Sequence, residues 1–182
     1  MGKRYWYYLV LAALLAAGCG DDNPTGPSSG PGEWNAKVTG DSGIEMSGQA
    51  VFTSQGFDPV TGTPGFLVTL ASSSPRTGLG LFLVFPGSSR PGQATFDVGQ
   101  YDTSAENLFE QELDPARVYV QVLIPDEADA EVFFSVSGRV RITTSAANAL
   151  GGEFELTART TDFDGEGERF VDVAGDFAAI GS

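Results

Sequence analysis

The residues best spaced for chemistry lie near the C-terminus, in Asp162-Phe163-Asp164-Gly165-Glu166-Gly167-Glu168. Acids at the first, third and fifth positions with glycine at the sixth match the first half of a calcium-binding loop. The second half departs from it. The twelfth position, where a bidentate glutamate belongs, is Val173. The segment therefore reads as a solvated hairpin turn, with at most a weak calcium site on Asp162, Asp164 and Glu166. A second acidic stretch, Asp126-Glu127-Ala128-Asp129-Ala130-Glu131, reads as a wet loop that also blunts edge pairing. Histidine is absent and cysteine occurs once. Ser-His-Asp and Cys-His triads are thereby excluded, as are zinc sites built on histidine or several cysteines. Paired carboxylates could run glycoside hydrolysis. With twenty-four Asp and Glu in the chain, some pair falls at a suitable spacing by chance, so no pair is singled out. The expectation is a protein that is not an enzyme and carries no cofactor. A formal charge of −14 argues against nucleic acid, whose binding needs basic surface.

The single cysteine, Cys19, follows a short export-type segment. Lys3 and Arg4 precede an apolar run from Tyr5 to Ala17, thirteen residues where a spanning helix needs about 20. The run ends Leu15-Ala16-Ala17-Gly18-Cys19, which resembles the lipobox of bacterial lipoproteins, with Ala16 where that motif most often has leucine. The resemblance implies cleavage after residue 18, acylation of Cys19 and tethering to a bilayer through it. Two or three acyl chains hold stably where one does not. Gly20 follows the cysteine, and the aspartates come at 21 and 22. In many such lipoproteins Asp directly after the cysteine retains the chain in the inner membrane, so the outer membrane is expected here. Residues 19–32 contain only small, polar, Gly and Pro residues after the cysteine and read as a disordered tether. Beyond Cys19 the chain keeps eight basic residues against its twenty-four acids, a balance that an anionic lipid surface repels.

Residues 33–182 must supply the elements, and their periodicity is two. Trp34, Ala36 and Val38 alternate with polar neighbours, as do Met46, Ala50 and Phe52. Val118, Val120 and Val122 follow the same rule, then Phe154, Leu156 and Ala158, then Val171, Val173, Gly175, Phe177 and Ala179. From 132 to 144 the even positions are the apolar ones, which predicts Val136 and Val140 in the core with Phe154 and puts Arg139 and Arg141 on the polar face. There they pair with acids across the strand and need no ligand to explain them. Trp34 is expected to serve packing rather than as a platform for sugar. Stretches at 66–70, 79–85 and 94–98 complete a set of eight or nine strands, with Gly, Pro, Asp and Ser in the breaks. The expected class is all-β, an antiparallel sandwich or barrel of about 8–9 strands with at most one short helix.

In Leu79-Gly80-Leu81-Phe82-Leu83-Val84-Phe85 both faces are apolar, so both should be covered. Thr103-Ser104-Ala105-Glu106 has the capping-box pattern, and 104–113 is expected as a short helix packed there. Two other covers stay open, an apolar ligand in a lumen and a second copy of the chain.

The segments EWNAKVTG near residue 33, PGQATFDVGQY in the middle and the tail from Ser137 resemble an uncharacterised family of secreted bacterial lipoproteins. That resemblance implies an all-β domain over roughly 33–182 in the cell envelope, and no activity. The expected function is a membrane-anchored, non-enzymatic binding or scaffolding module. Its partners would be the lipid bilayer through Cys19 and an unknown ligand. The alternative is a lipocalin-like carrier of a small apolar molecule.

Overall fold

The computed structural model describes residues 29–41, 43–73, 80–87, 89–104, 107–125, 130–160 and 167–182. Nine strands follow in chain order: β1 Glu33–Gly40, β2 Ile44–Phe57, β3 Pro64–Ser72, β4 Gly80–Pro86, β5 Thr95–Asp97, β6 Tyr119–Pro125, β7 Ala130–Ala146, β8 Ala149–Thr160 and β9 Phe170–Gly181. Eight of them close into an antiparallel barrel in the order β7-β6-β4-β3-β2-β1-β9-β8, with β7 meeting β8 again. The choice between sandwich and barrel is thereby settled for the barrel. The ninth, β5, lies on the edge of β7 that β6 vacates: β6 pairs with residues 130–134 and β5 with 139–141. Beyond the start of β1, β2 and β9 pair directly for two residues, Val51 with Ile180 and Phe52 with Gly181.

The alternation seen in the sequence is the pleat of this wall. Trp34, Ala36, Val38, Phe52, Val120, Val122, Phe154, Leu156, Val173 and Phe177 all point inward and are buried. Ring contacts run across the interior, Phe52 on Phe66 at 5.2 Å, Phe66 on Phe85 at 6.4 Å and Phe85 on Phe96 at 5.3 Å. The Trp34 indole N–H donates to the Ala71 carbonyl at 3.0 Å, so the ring serves the core, as its place in the pattern suggested. At one mouth the chain between β4 and β5 crosses the barrel. Arg90 lies 4.9 Å above the Phe52 ring and donates to the Ala147 carbonyl at 2.6 Å on the far hairpin.

Strand β7 departs from simple alternation. Its pairing with β8 slips between Ser135 and Ser137, leaving Val136 as the extra residue of a bulge. Odd positions Phe133 and Ser135 are therefore buried before the slip, and even positions Val140 and Ile142 after it. Val136 is only half-buried, which corrects its expected place in the core, while Val140 and Phe154 are core residues. Gly138, at φ 138°, completes the distortion in a backbone region that other residues avoid.

The helix expected at 104–113 is not formed among the described residues: 107–110 is a hydrogen-bonded turn, 111–113 has no regular structure, and no helix occurs elsewhere among the described residues. Asp102 organises the turn instead. Its carboxylate accepts from the Ser104 amide at 3.1 Å, the Ser104 hydroxyl at 2.8 Å and the Asn107 amide at 3.0 Å. The segment nevertheless covers the second face of β4. Leu108 and Leu113, with Tyr101, bury Val84, Tyr119 and Phe134 against the outside of the barrel. We call residues 99–117 the strap. The segment expected as tether ends on the wall: the Gly32 amide donates to the Ala178 carbonyl at 2.6 Å and the Ser29 amide to Asp176 at 2.8 Å.

Candidate functional site

Of the residues singled out by their chemistry, Cys19 and the acidic turn Asp162, Asp164 and Glu166 lie outside the described residues, as does Asp126 to Asp129. Among the described residues no group of three or more Asp, Glu, Cys or His is arranged to hold a metal ion. No helix there is long and apolar enough to cross a membrane.

Arg139 and Arg141 are placed together on the outer wall. The register lines up cross-strand rows. One runs Thr95, Arg141, Glu153, Asp176, Asn35 across β5, β7, β8, β9 and β1. The next runs Asp97, Arg139, Glu155, Ala174, Lys37, Glu45. Arg141 donates to Glu153 at 3.0 Å, the cross-strand pair expected of it. Both side chains are substantially exposed, and such a pair adds little stability. Ala174 is the one small residue in the middle of its row, and two shallow grooves meet over it. One, of about 480 Å³, is lined by Arg139, Arg141, Glu153 and Glu155. The other, of about 490 Å³, takes Lys37, Arg139, Glu155 and Asp172. The Thr157 hydroxyl donates to Asp172 at 2.7 Å, fixing that carboxylate at the rim. The arrangement presents donors and acceptors of both signs about one strand spacing apart, which suits an extended polar partner laid across the strands.

A second cluster had no signal in the sequence. Asp58, Tyr101 and Gln121 are all buried beneath the strap. Asp58 accepts from the amides of Val60 and Thr61, each at 2.8 Å, from the Tyr101 hydroxyl, and from the Gln121 amide at 3.4 Å. Gln121 also donates to the Tyr101 oxygen at 3.1 Å. Four donors thus offset the burial of a carboxylate that has no cation beside it among the described residues. Burial, with Asp58 next to it, pushes the Tyr101 phenol far above its ordinary range. Tyr101 therefore stays protonated and cannot serve as a base. Gly99 has to be glycine, because a β-carbon there would strike the Tyr119 ring. The cluster is a latch that ties the strap to the β2–β3 loop. On the strap itself, the hydroxyl and amide of Ser104 and the Asn107 amide hold the Asp102 carboxyl below its usual range.

Searches of protein-family models, curated proteins and solved structures find nothing that matches this chain.

Proposed function

We propose that this protein is a lipid-anchored module of the bacterial cell envelope that binds a partner on the outer wall of its barrel. One observation carries the choice of surface. The interior is occupied by the protein's own rings, whereas the paired grooves over Ala174 are open. The anchor rests on the sequence around Cys19. An apolar run too short to span ends in small residues before the only cysteine.

Two measurements test the two halves separately. Cys19→Ser should leave an unprocessed chain that no longer takes up a palmitate analogue. Continued labelling and membrane fractionation of that variant would refute the anchor. A photo-crosslinking residue at Ala174 should give a discrete adduct in intact envelopes, and one at the strap position Asn107 should not. Equal adducts at both, or none at Ala174, would refute the binding face.

The carrier of a small apolar molecule is the second reading, favoured by the closed eight-strand barrel, an architecture that encloses ligands in other proteins. Extraction of the natively purified protein with organic solvent decides it. A stoichiometric apolar compound supports the carrier, and its absence supports the outer wall.

A further inference from the structure

A third groove, of about 760 Å³, lies on the outside of β1 and β2 beside the chain at residues 29–32. Its chemistry differs from that of the other two. Four of the residues lining each charged groove are ionised side chains, whereas Glu33 is the only such residue among the twelve lining this one. In a chain with twenty-four acids this is a neutral surface.

The register shows how it is built. Odd positions of β2 face outward, so Ser47, Gln49 and Val51 rise in successive rows beside Asn35, Glu33 and Ile180. The upper row is hydroxyl and amide. The Asn35 amide donates to the Ser29 hydroxyl at 3.0 Å, and the Ser73 hydroxyl to the Ser47 carbonyl at 3.2 Å, which holds both groups at the rim. The middle row adds the exposed Gln49 amide, with donor and acceptor both available. The lower row is apolar, with Ile180 44% exposed beside Val51 and Pro31 close by. Gly48, between Ser47 and Gln49, has to be glycine, because a β-carbon there would strike the Ala71 carbonyl of β3.

We infer that this groove is a binding site for a neutral, hydroxyl-rich ligand, a pyranose oligosaccharide. Such a ligand carries hydroxyls along its edges and C–H patches on its ring faces. Neutral amides and hydroxyls match the first and the Val51–Ile180 row the second. Among the described residues an anionic ligand finds no cation in the groove, only Glu33, and a purely apolar one would cover the Gln49 amide without a partner for it. The volume exceeds what a disaccharide requires and lies within the range of small-molecule sites. The site goes beyond the charged grooves and needs neither them nor the lipid anchor.

Two-dimensional NMR of the full-length protein tests it, with cellotriose and triacetylchitotriose as neutral probes and trigalacturonic acid as the anionic one. At millimolar sugar, at least one neutral probe should shift the signals of Gln49, Asn35 and Val51 and leave those of Arg139 and Glu155 in place. Gln49→Ala, at an exposed position, should weaken that binding by about tenfold while leaving the remaining spectrum folded. Arg141→Ser should leave it unchanged. The site is refuted if neither neutral probe shifts these residues, if the anionic trisaccharide binds as well as the neutral ones, or if Gln49→Ala has no effect on affinity.

Discussion

The barrel interior and the patch beneath the strap are both apolar and both buried, yet they are held together differently. Inside, rings and aliphatic side chains from every barrel strand meet one another, and side chains such as the Trp34 indole add hydrogen bonds to the strand backbone. Outside, Tyr101, Leu108 and Leu113 of the strap cover Val84, Tyr119 and Phe134 of the wall, fastened by the carboxylate of Asp58 and the side chains of Tyr101 and Gln121. The first region is redundant, since no single contact carries it. The second relies on a polar latch, and polar latches fail sharply, because a buried group left without its partner keeps the full cost of its lost water. The two regions should therefore respond differently to damage, the interior by global unfolding and the strap by local opening.

The largest effect is expected from Val140→Asp, which places an unpaired charge among the interior residues. It should cost several kcal/mol or abolish folding, read by urea denaturation followed with circular dichroism. A stably folded variant would show that the interior is not the continuous core described above. Tyr101→Phe comes next. Removing one hydroxyl leaves Asp58 short of a donor and should cost about 1–3 kcal/mol. Amide exchange should rise across residues 99–117 before it rises in β8 and β9. If exchange rises everywhere together, the strap and barrel open as one unit and the contrast disappears.

Alkaline pH probes the same latch. The folded phenol of Tyr101 is raised above its ordinary value, so the unfolded chain releases the proton first. This contribution is complete below pH ~10 and is lost as pH rises above it, by about 1.4 kcal/mol per unit. The wild-type protein should thus lose stability faster than Tyr101→Phe above pH ~10, and parallel curves would remove Tyr101 from the account. The smallest change is Arg141→Ser on the outer wall, where an exposed ion pair is lost and less than ~1 kcal/mol should follow. A loss comparable to that of Tyr101→Phe would mean that the outer wall also carries structural weight.

The same contrast explains what could be read in the sequence. The interior announces itself through alternation, because a side chain pointing inward must be apolar whatever it meets. Trp34, Ala36 and Val38, or Phe154, Leu156 and Ala158, need no knowledge of their partners. Alternation misled only where the backbone gains a residue. The bulge at Val136 exchanges the two faces, so Phe133 is interior and Phe134 lies under the strap, although both are equally apolar letters. The latch was illegible for another reason. Tyr101 lies 43 residues from Asp58, and Gln121 lies 63 from it. Nothing local in an aspartate at the start of a turn says that a tyrosine from the strap will reach it. The failed helix belongs to the same class. The pattern at 103–106 suits a helix start, but Asp102, one residue earlier, binds the amide and hydroxyl of Ser104 and the Asn107 side chain, and residues 107–110 form only a turn. In the charged grooves the pairing of Arg141 was legible and the hollow over Ala174 was not, since a hollow depends on three strands at once.

The barrel is closed by β1 and β9, the first and last strands among the described residues, whose register runs from Glu33 opposite Ala178 to Gly40 opposite Val171. Until β9 has been made, β1 and β8 each present an open edge and the wall has a gap between them. Such a closure joins the most distant parts of the chain and makes folding slow relative to helical proteins of this size. Sequential hairpins such as β1–β2 and β7–β8 can pair as they are made, but the wall itself closes only after β9 has emerged.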